Sequence, residues 1–244
     1  MTAQGWQRLE GPGLAAWAAA AAPVAQAVLA AAGPEGWRHG GTWFAGVDAL
    51  PTDAAGAMPG GPGLPWAELG LAPVPLHPAQ LSAVRAGYPQ PDPAETEAAA
   101  RFRRRRDAAH LDGLLPVGPE RARMIREPHA WVLGIGLAGG GAGAAPTVVW
   151  SGSHVLLRAA LAEALAGHPP ARWHEVDVTA AYTAARARVF AECPRVTVPL
   201  APGQAVLLHR HLLHGMAPWS GGAGVRSVAW FRPLLPDVAT WIAA

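Results

Sequence analysis

The chain has 244 residues, enough for one domain with a sizeable core, although its 51% hydrophobic share is carried largely by alanine. A formal charge of +2 is too small to argue for nucleic acid, and a single cysteine, Cys193, excludes an intrachain disulfide and suits a reducing, cytoplasmic setting. All 19 basic residues are arginine and asparagine is absent, which excludes Schiff-base lysine chemistry, a P-loop and N-glycosylation.

Residues 1–100 read as a helical and irregular covering segment. The uncharged stretch Leu14 to Ala32 predicts a buried helix and no membrane span. Alanine is barely apolar enough for lipid, Pro23 interrupts the run, and Arg8 is offset by Glu10, so no positive leader precedes it. Residues 51–78 are crowded with Pro and Gly and predict an irregular segment. Pro93 to Ala100 predicts a short helix start. The run RFRRRR, Arg101 to Arg106, reads as a solvated strand edge or ion-paired face. Its functional alternative is an electropositive rim for an anionic substrate such as a carboxylate or acyl thioester.

AHLDG predicts a strand ending at Gly113. Residues i and i+2 share a side, so His110 and Asp112 can reach one ion while Leu111 faces away. The next strand, in PHAWVLGIGLA, places His129 and Trp131 on one face by alternation, where they line a pocket or fill the core. GLAGGGAGAAP is a loop tip without the G-K-[ST] of a phosphate cradle. His154–Gly167 and Asp177–Ala191 carry helical periodicity. A Pro202-Gly203 turn precedes an apolar run, and VRSVAWFRP reads as a strand carrying Arg226.

An H-x-D pair followed about a hundred residues later by another histidine is the ligand pattern of a 2-His-1-carboxylate facial triad. H-x-D alone is common by chance, and its histidine is more often an ordinary hydrogen-bonded residue. Three histidines compete for the third place: His209, His211 and His214. Unbroken alternation puts His209 and His211 on one face and His214 on the other, unless a bulge or strand end before Gly215 resets the phase. Arg226 is either a surface residue or, given Val225, Val228, Trp230 and Phe231 around it, a buried arginine with a partner. There it could grip a carboxylate with both arms of its fork.

Taken in order, these motifs resemble the phytanoyl-CoA dioxygenase-like Fe(II)/2-oxoglutarate oxygenases over about residues 105–233. HLDG stands at the family's H-x-D, APTVVWSGSH resembles its Gly-Ser-His signature, and PGQAVLLHRHLLHG resembles the stretch with the distal histidine. Gln204 departs from the acidic residue that commonly follows the glycine, a change in a turn. The resemblance implies a single domain, mainly β with covering helices. Its core would be a double-stranded β-helix (jelly-roll, cupin-like) over residues 101–235. It implies Fe(II) on His110, Asp112 and His214, 2-oxoglutarate anchored by Arg226, and O₂ as oxidant. Trp131 and His129 are further candidates for the co-substrate pocket. Succinate and CO₂ would be released as a small organic substrate is hydroxylated. Related halogenases have a small residue where Asp112 stands, so Asp112 favours hydroxylation. His209 and His211 then become structural, and His154 stabilises its turn. Substrate choice would fall to loops within residues 40–100 and 113–128. Two rival classes share the shape: a non-catalytic metal- or ligand-binding barrel, and a Zn-dependent hydrolase, for which nothing here resembles a general base.

Overall fold

The computed structural model describes residues 2–222 and 224–243. In chain order the first half runs β1 (Trp6–Glu10), α1 (Pro12–Ala31), β2 (Trp37–Arg38), β3 (Trp43–Leu50), α2 (Trp66–Leu69), β4 (Ala79–Arg85), α3 (Glu97–Arg106), β5 (Leu114–Val117) and β6 (Ala122–Ile125). The second half runs β7 (Trp131–Ala138), β8 (Thr147–Trp150), α4 (Ser153–Leu165), α5 (Thr179–Glu192), β9 (Arg195–Val198), β10 (Gln204–His209), β11 (His214–Met216), β12 (Val225–Phe231) and α6 (Val238–Ile242). A seven-stranded antiparallel sheet has the order β1-β10-β7-β12-β4-β3-β2. A three-stranded sheet has the order β11-β8-β9, and β5 and β6 form a hairpin.

Period-two side chains decide what each face meets. On the large sheet Val132, Val206, Leu208 and Val228 point toward Val149 and Val198 of the small sheet, closing one apolar layer between them. Two antiparallel sheets packed in this way, with helices outside, make the jelly-roll core. The alternate residues Leu133, Ile135, Leu207, Ala229 and Phe231 face the other way, onto α1. The small sheet turns Val148 and Trp150 outward, onto Leu157 and Leu161 of α4, Tyr182 and Val189 of α5, and Trp241 of α6.

The first hundred residues correct the expectation of a helical and irregular cover, since β1, β2, β3 and β4 are all strands of the large sheet. Their signal was hidden because Gly, Pro and Ala dominate around them and few β-branched residues mark them. Pro23 does not interrupt α1. The helix runs through it with Pro23 on the exposed side, while Leu14, Trp17, Ala18, Ala21 and Ala25 pack on the sheet. By length and composition α1 could cross a membrane, yet here one face is committed to the core. Trp17 is fully buried, meets Phe231 edge-on at 5.5 Å and donates from Nε1 to Gly56 O at 2.7 Å. Trp17→Ala is therefore expected to cost about 3–5 kcal/mol of stability, read as a lower denaturant midpoint. A change within about 0.5 kcal/mol would mean that α1 does not dock here.

The arginine run is the C-terminal half of α3, capped by Thr96, and not a strand edge. Four basic residues in its last turn suit the negative end of the helix dipole.

Candidate metal centre

The strand expected at AHLDG is absent; His110 forms an isolated antiparallel bridge with His214, and Asp112 lies in the turn that follows. The bridge exchanges both backbone bonds, His110 N to His214 O at 2.8 Å and His214 N to His110 O at 3.1 Å. Such a pair sets two side chains next to each other, and the imidazole centroids are 4.5 Å apart. A change of sheet brings His214 to this bridge: β10 ends at His209, a turn carries the chain across, and β11 starts at His214 in the small sheet.

Two glycines make this approach possible. Gly215 has no room for a Cβ, which would lie 2.2 Å from Asp107 O, and Gly113, at φ +91, would meet Glu127 O at 2.5 Å. Gly215→Ala must therefore push the 107–109 segment and His110 with it. If the cluster binds a metal, this is expected to weaken that binding by about tenfold or more, the scale of a misplaced outer contact, in a direct titration with Fe(II). Unaltered affinity would show that the bridge does not set the ligand spacing. Ser153 of the Gly-Ser-His turn holds the neighbouring chain, its Oγ accepting from Leu213 N at 2.9 Å, while Trp150 N donates to Leu213 O at 3.0 Å. Sequence reasoning placed the value of this turn in His154. Its buried serine is what pins the residue before His214.

His110 Nε2 stands 3.3 Å from Asp112 Oδ1, and His214 Nε2 stands 3.6 Å from Asp112 Oδ2. Each Nδ1 faces a backbone carbonyl at 3.0 Å, Ala108 O for His110 and Leu212 O for His214. Protons on both Nδ1 atoms satisfy those carbonyls and leave both Nε2 lone pairs free for an ion. With metal bonds of about 2.0–2.2 Å, donors at right angles stand about 3 Å apart. One donor atom from each of the three residues lies within 4.8 Å of the others, so the set fits one ion after small side-chain shifts. Burial raises the Asp112 carboxyl, but His214, His110 and Arg232 outweigh it and hold the group well below the usual carboxylate range. Arg232, whose Nη1 is 3.5 Å from Asp112 Oδ2 and whose Nη2 bonds Gln80, carried no signal in the sequence.

Arg226 is 2% exposed, on the inward face of β12 with Val228 and Trp230. The expected charged partner is missing: among the described residues no carboxylate pairs with it. Nη2 donates to Thr147 Oγ1 at 2.9 Å and Nη1 lies 3.5 Å from Met216 Sδ. Burial lowers its pKa from 12.5 to about 10, which leaves it charged at neutral pH. Arg226, Thr147 and the three candidate ligands line one cavity of about 540 Å³, walled by Trp43, Val47, Val132 and Trp230.

The other expected site residues lie elsewhere. Trp131 faces the opposite side of β7, in the α1 layer, 6.3 Å from Trp66. Alternation puts Val132, its neighbour, on the cavity side. His129 does not line this cavity either; its Nδ1 is 3.1 Å from Arg232 O and it belongs to a smaller pocket with His77 and Asp48. The His209 and His154 rings lie 4.7 Å apart, tilted at 47°, and His211, fully buried beside Trp241, has its pKa pushed by burial to about 2 and stays neutral.

No protein-family model matches this sequence, and no curated protein matches it. Among solved structures the chain is similar to the non-heme α-ketoglutarate-dependent carbocyclase SnoK from nogalamycin biosynthesis. The match has 15% identity over 94% of this chain and 79% of that one, with a TM-score of 0.51. It is similar to the non-heme α-ketoglutarate-dependent epimerase SnoN from the same biosynthesis at 15% identity, 94% and 77% coverage and a TM-score of 0.50. The chain therefore shares the fold of these two enzymes.

Proposed function

We propose that this chain is an Fe(II)- and 2-oxoglutarate-dependent dioxygenase that hydroxylates a small organic molecule and releases succinate and CO₂. One observation carries the reading. A fully buried guanidinium that pairs with no carboxylate among the described residues faces the cavity that holds a 2-His-1-carboxylate cluster. A charge buried unpaired is expensive, and a dicarboxylate co-substrate supplies the missing counter-charge. SnoK and SnoN are named as α-ketoglutarate-dependent, which supports the same co-substrate.

His110, Asp112 and His214 would hold Fe(II), which with 2-oxoglutarate and O₂ supplies oxidative decarboxylation coupled to oxidation of a C–H bond. Asp112 contributes the one anionic ligand and fills the place a halide would need. The backbone carbonyls of Ala108 and Leu212, each facing an Nδ1, would orient both imidazoles with Nε2 toward the ion. Arg226 and Thr147 would orient 2-oxoglutarate through its distal carboxylate, a charge-assisted contact. Val132, Met216 and Trp230 give the cavity apolar wall, and its volume suits a small-molecule substrate. Cys193 as a free thiol supports a cytoplasmic setting.

Anaerobic addition of Fe(II) and 2-oxoglutarate is expected to give a weak visible charge-transfer band, followed in air by succinate. His110→Ala and His214→Ala should each remove the band, and His209→Ala should keep it. A band that survives His214→Ala, or succinate formation without Fe(II), would refute the assignment and favour one of the rival classes.

A further inference from the structure

Behind His110 lies a second cavity, of about 250 Å³, and Arg103, Ala108 and His110 line both chambers. His110 is half-exposed, with 52% of its side chain accessible, because it stands between the two. Three guanidinium groups from three elements converge on the smaller chamber: Arg103 of α3, Arg123 of β6 and Arg186 of α5. Glu95 neutralises Arg103, one of its oxygens accepting from Nε at 3.0 Å and from Nη2 at 2.8 Å. Arg123 and Arg186 have no carboxylate partner among the described residues, although both are partly buried. Arg186 lies over the rings of Phe102 at 4.8 Å and Tyr182 at 5.1 Å. Stacking of this kind fixes the plane of a guanidinium and leaves its N–H edge free. Arg123 is steadied on the other side, its Nη1 3.4 Å from Leu114 O. Phe102, Leu111 and Leu114 supply the apolar remainder of the wall.

Two like charges held in a partly buried chamber repel each other unless a counter-ion enters. Two preorganised forks facing one space are the arrangement that recognises planar or tetrahedral oxyanions. We propose that this chamber binds an anionic group, a phosphate or a carboxylate, carried by the molecule that is oxidised beside His110. That the anion belongs to the oxidised molecule rests on the function proposed above; the affinity of the chamber for an anion does not. Only Arg103 of the five arginines in the 101–106 run takes part, so the subsite is built by the fold rather than by that run.

The test is calorimetric titration of the full-length protein with inorganic phosphate and, separately, with propionate. At least one is expected to bind, and the tighter of the two names the group. Arg123→Gln and Arg186→Gln should each weaken that binding at least about tenfold, as expected for removing one arm of a charge-assisted pair. Arg226→Gln should leave the component of binding that depends on Arg123 and Arg186 unchanged. Binding of neither anion, binding indifferent to Arg123 and Arg186, or binding lost in Arg226→Gln would overturn the proposal. Should a glutamine variant fail to fold, Arg123→Lys and Arg186→Lys are read instead. They keep the charge, lose the fork, and should weaken binding at least about threefold; unaltered affinity overturns the proposal. The Fe(II)–2-oxoglutarate band is recorded on the same preparations. Its absence alongside arginine-dependent anion binding would sink the metal reading and leave the chamber standing. The reverse result would sink the chamber alone.

Discussion

Arg226→Met is expected to act in two opposite directions. It should raise the apparent constant for 2-oxoglutarate by at least about thirtyfold, and it should stabilise the protein when no co-substrate is present. The first effect follows from removing one partner of a buried charge pair, worth about 2–5 kcal/mol, or about thirtyfold to several thousandfold in affinity. The second follows from what the free protein lacks. Thr147 Oγ1 and Met216 Sδ are the neighbours of the guanidinium, and neither offsets its charge. Methionine fills a similar volume without a charge to desolvate, so a gain of about 1 kcal/mol or more is expected. For a chain of this size that raises the melting temperature by about 2–4 °C per kcal/mol. An unchanged constant for 2-oxoglutarate would make Arg226 structural. A lower melting temperature would mean that the charge is already balanced in the free protein.

Asp112→Ala is expected to abolish turnover. The site would lose its one anionic ligand, and Arg232, now 3.5 Å from that carboxylate, would face the two imidazoles with nothing to balance it. Repulsion of a cation then adds to the missing bond, so Fe(II) binding should fall by at least about hundredfold, more than a typical outer-sphere change. Succinate release with and without chloride or bromide is the measurement. The wild type should show no halide dependence, because Asp112 as a ligand would occupy the position a halide would take. Halide-stimulated turnover in the wild type would remove Asp112 from the ligand set and the hydroxylase reading with it.

The ligand types were legible early because metal chemistry constrains residue identity. Two imidazoles and a carboxylate in H-x-D and L-H-G, with an arginine twelve residues on, form a pattern that survives without any alignment. The local geometry assumed for them was wrong in an instructive way. His110 and Asp112 were expected to share a strand face, yet a single bridge and a turn bring them together. Spacing of two is compatible with both, since it limits distance along the chain and does not specify backbone shape. His129 and Trp131 were misplaced for a related reason. Alternation tells which residues share a face, but either face of β7 meets an apolar layer, so periodicity could not say which one looks into the cavity.

By itself the sequence determined the element types in its second half, the residue types of the candidate metal ligands, and the chemistry that the absence of lysine forbids. Apolar periodicity, ligand softness and side-chain inventory are local properties, readable without knowing what the chain packs against. Only the tertiary structure shows why His214, the histidine that the motif resemblance favours, and not His209 or His211 lies beside His110 and Asp112: the crossing from β10 to β11 changes sheets within a few residues. It also decided that four strands come from the glycine- and proline-rich first hundred residues, that Arg226 is left without a carboxylate, and that Arg123 and Arg186, far apart in sequence, face one chamber. Each of these is a long-range juxtaposition, set by which surfaces the folded sheets and helices bury together, and no local pattern in the chain encodes it.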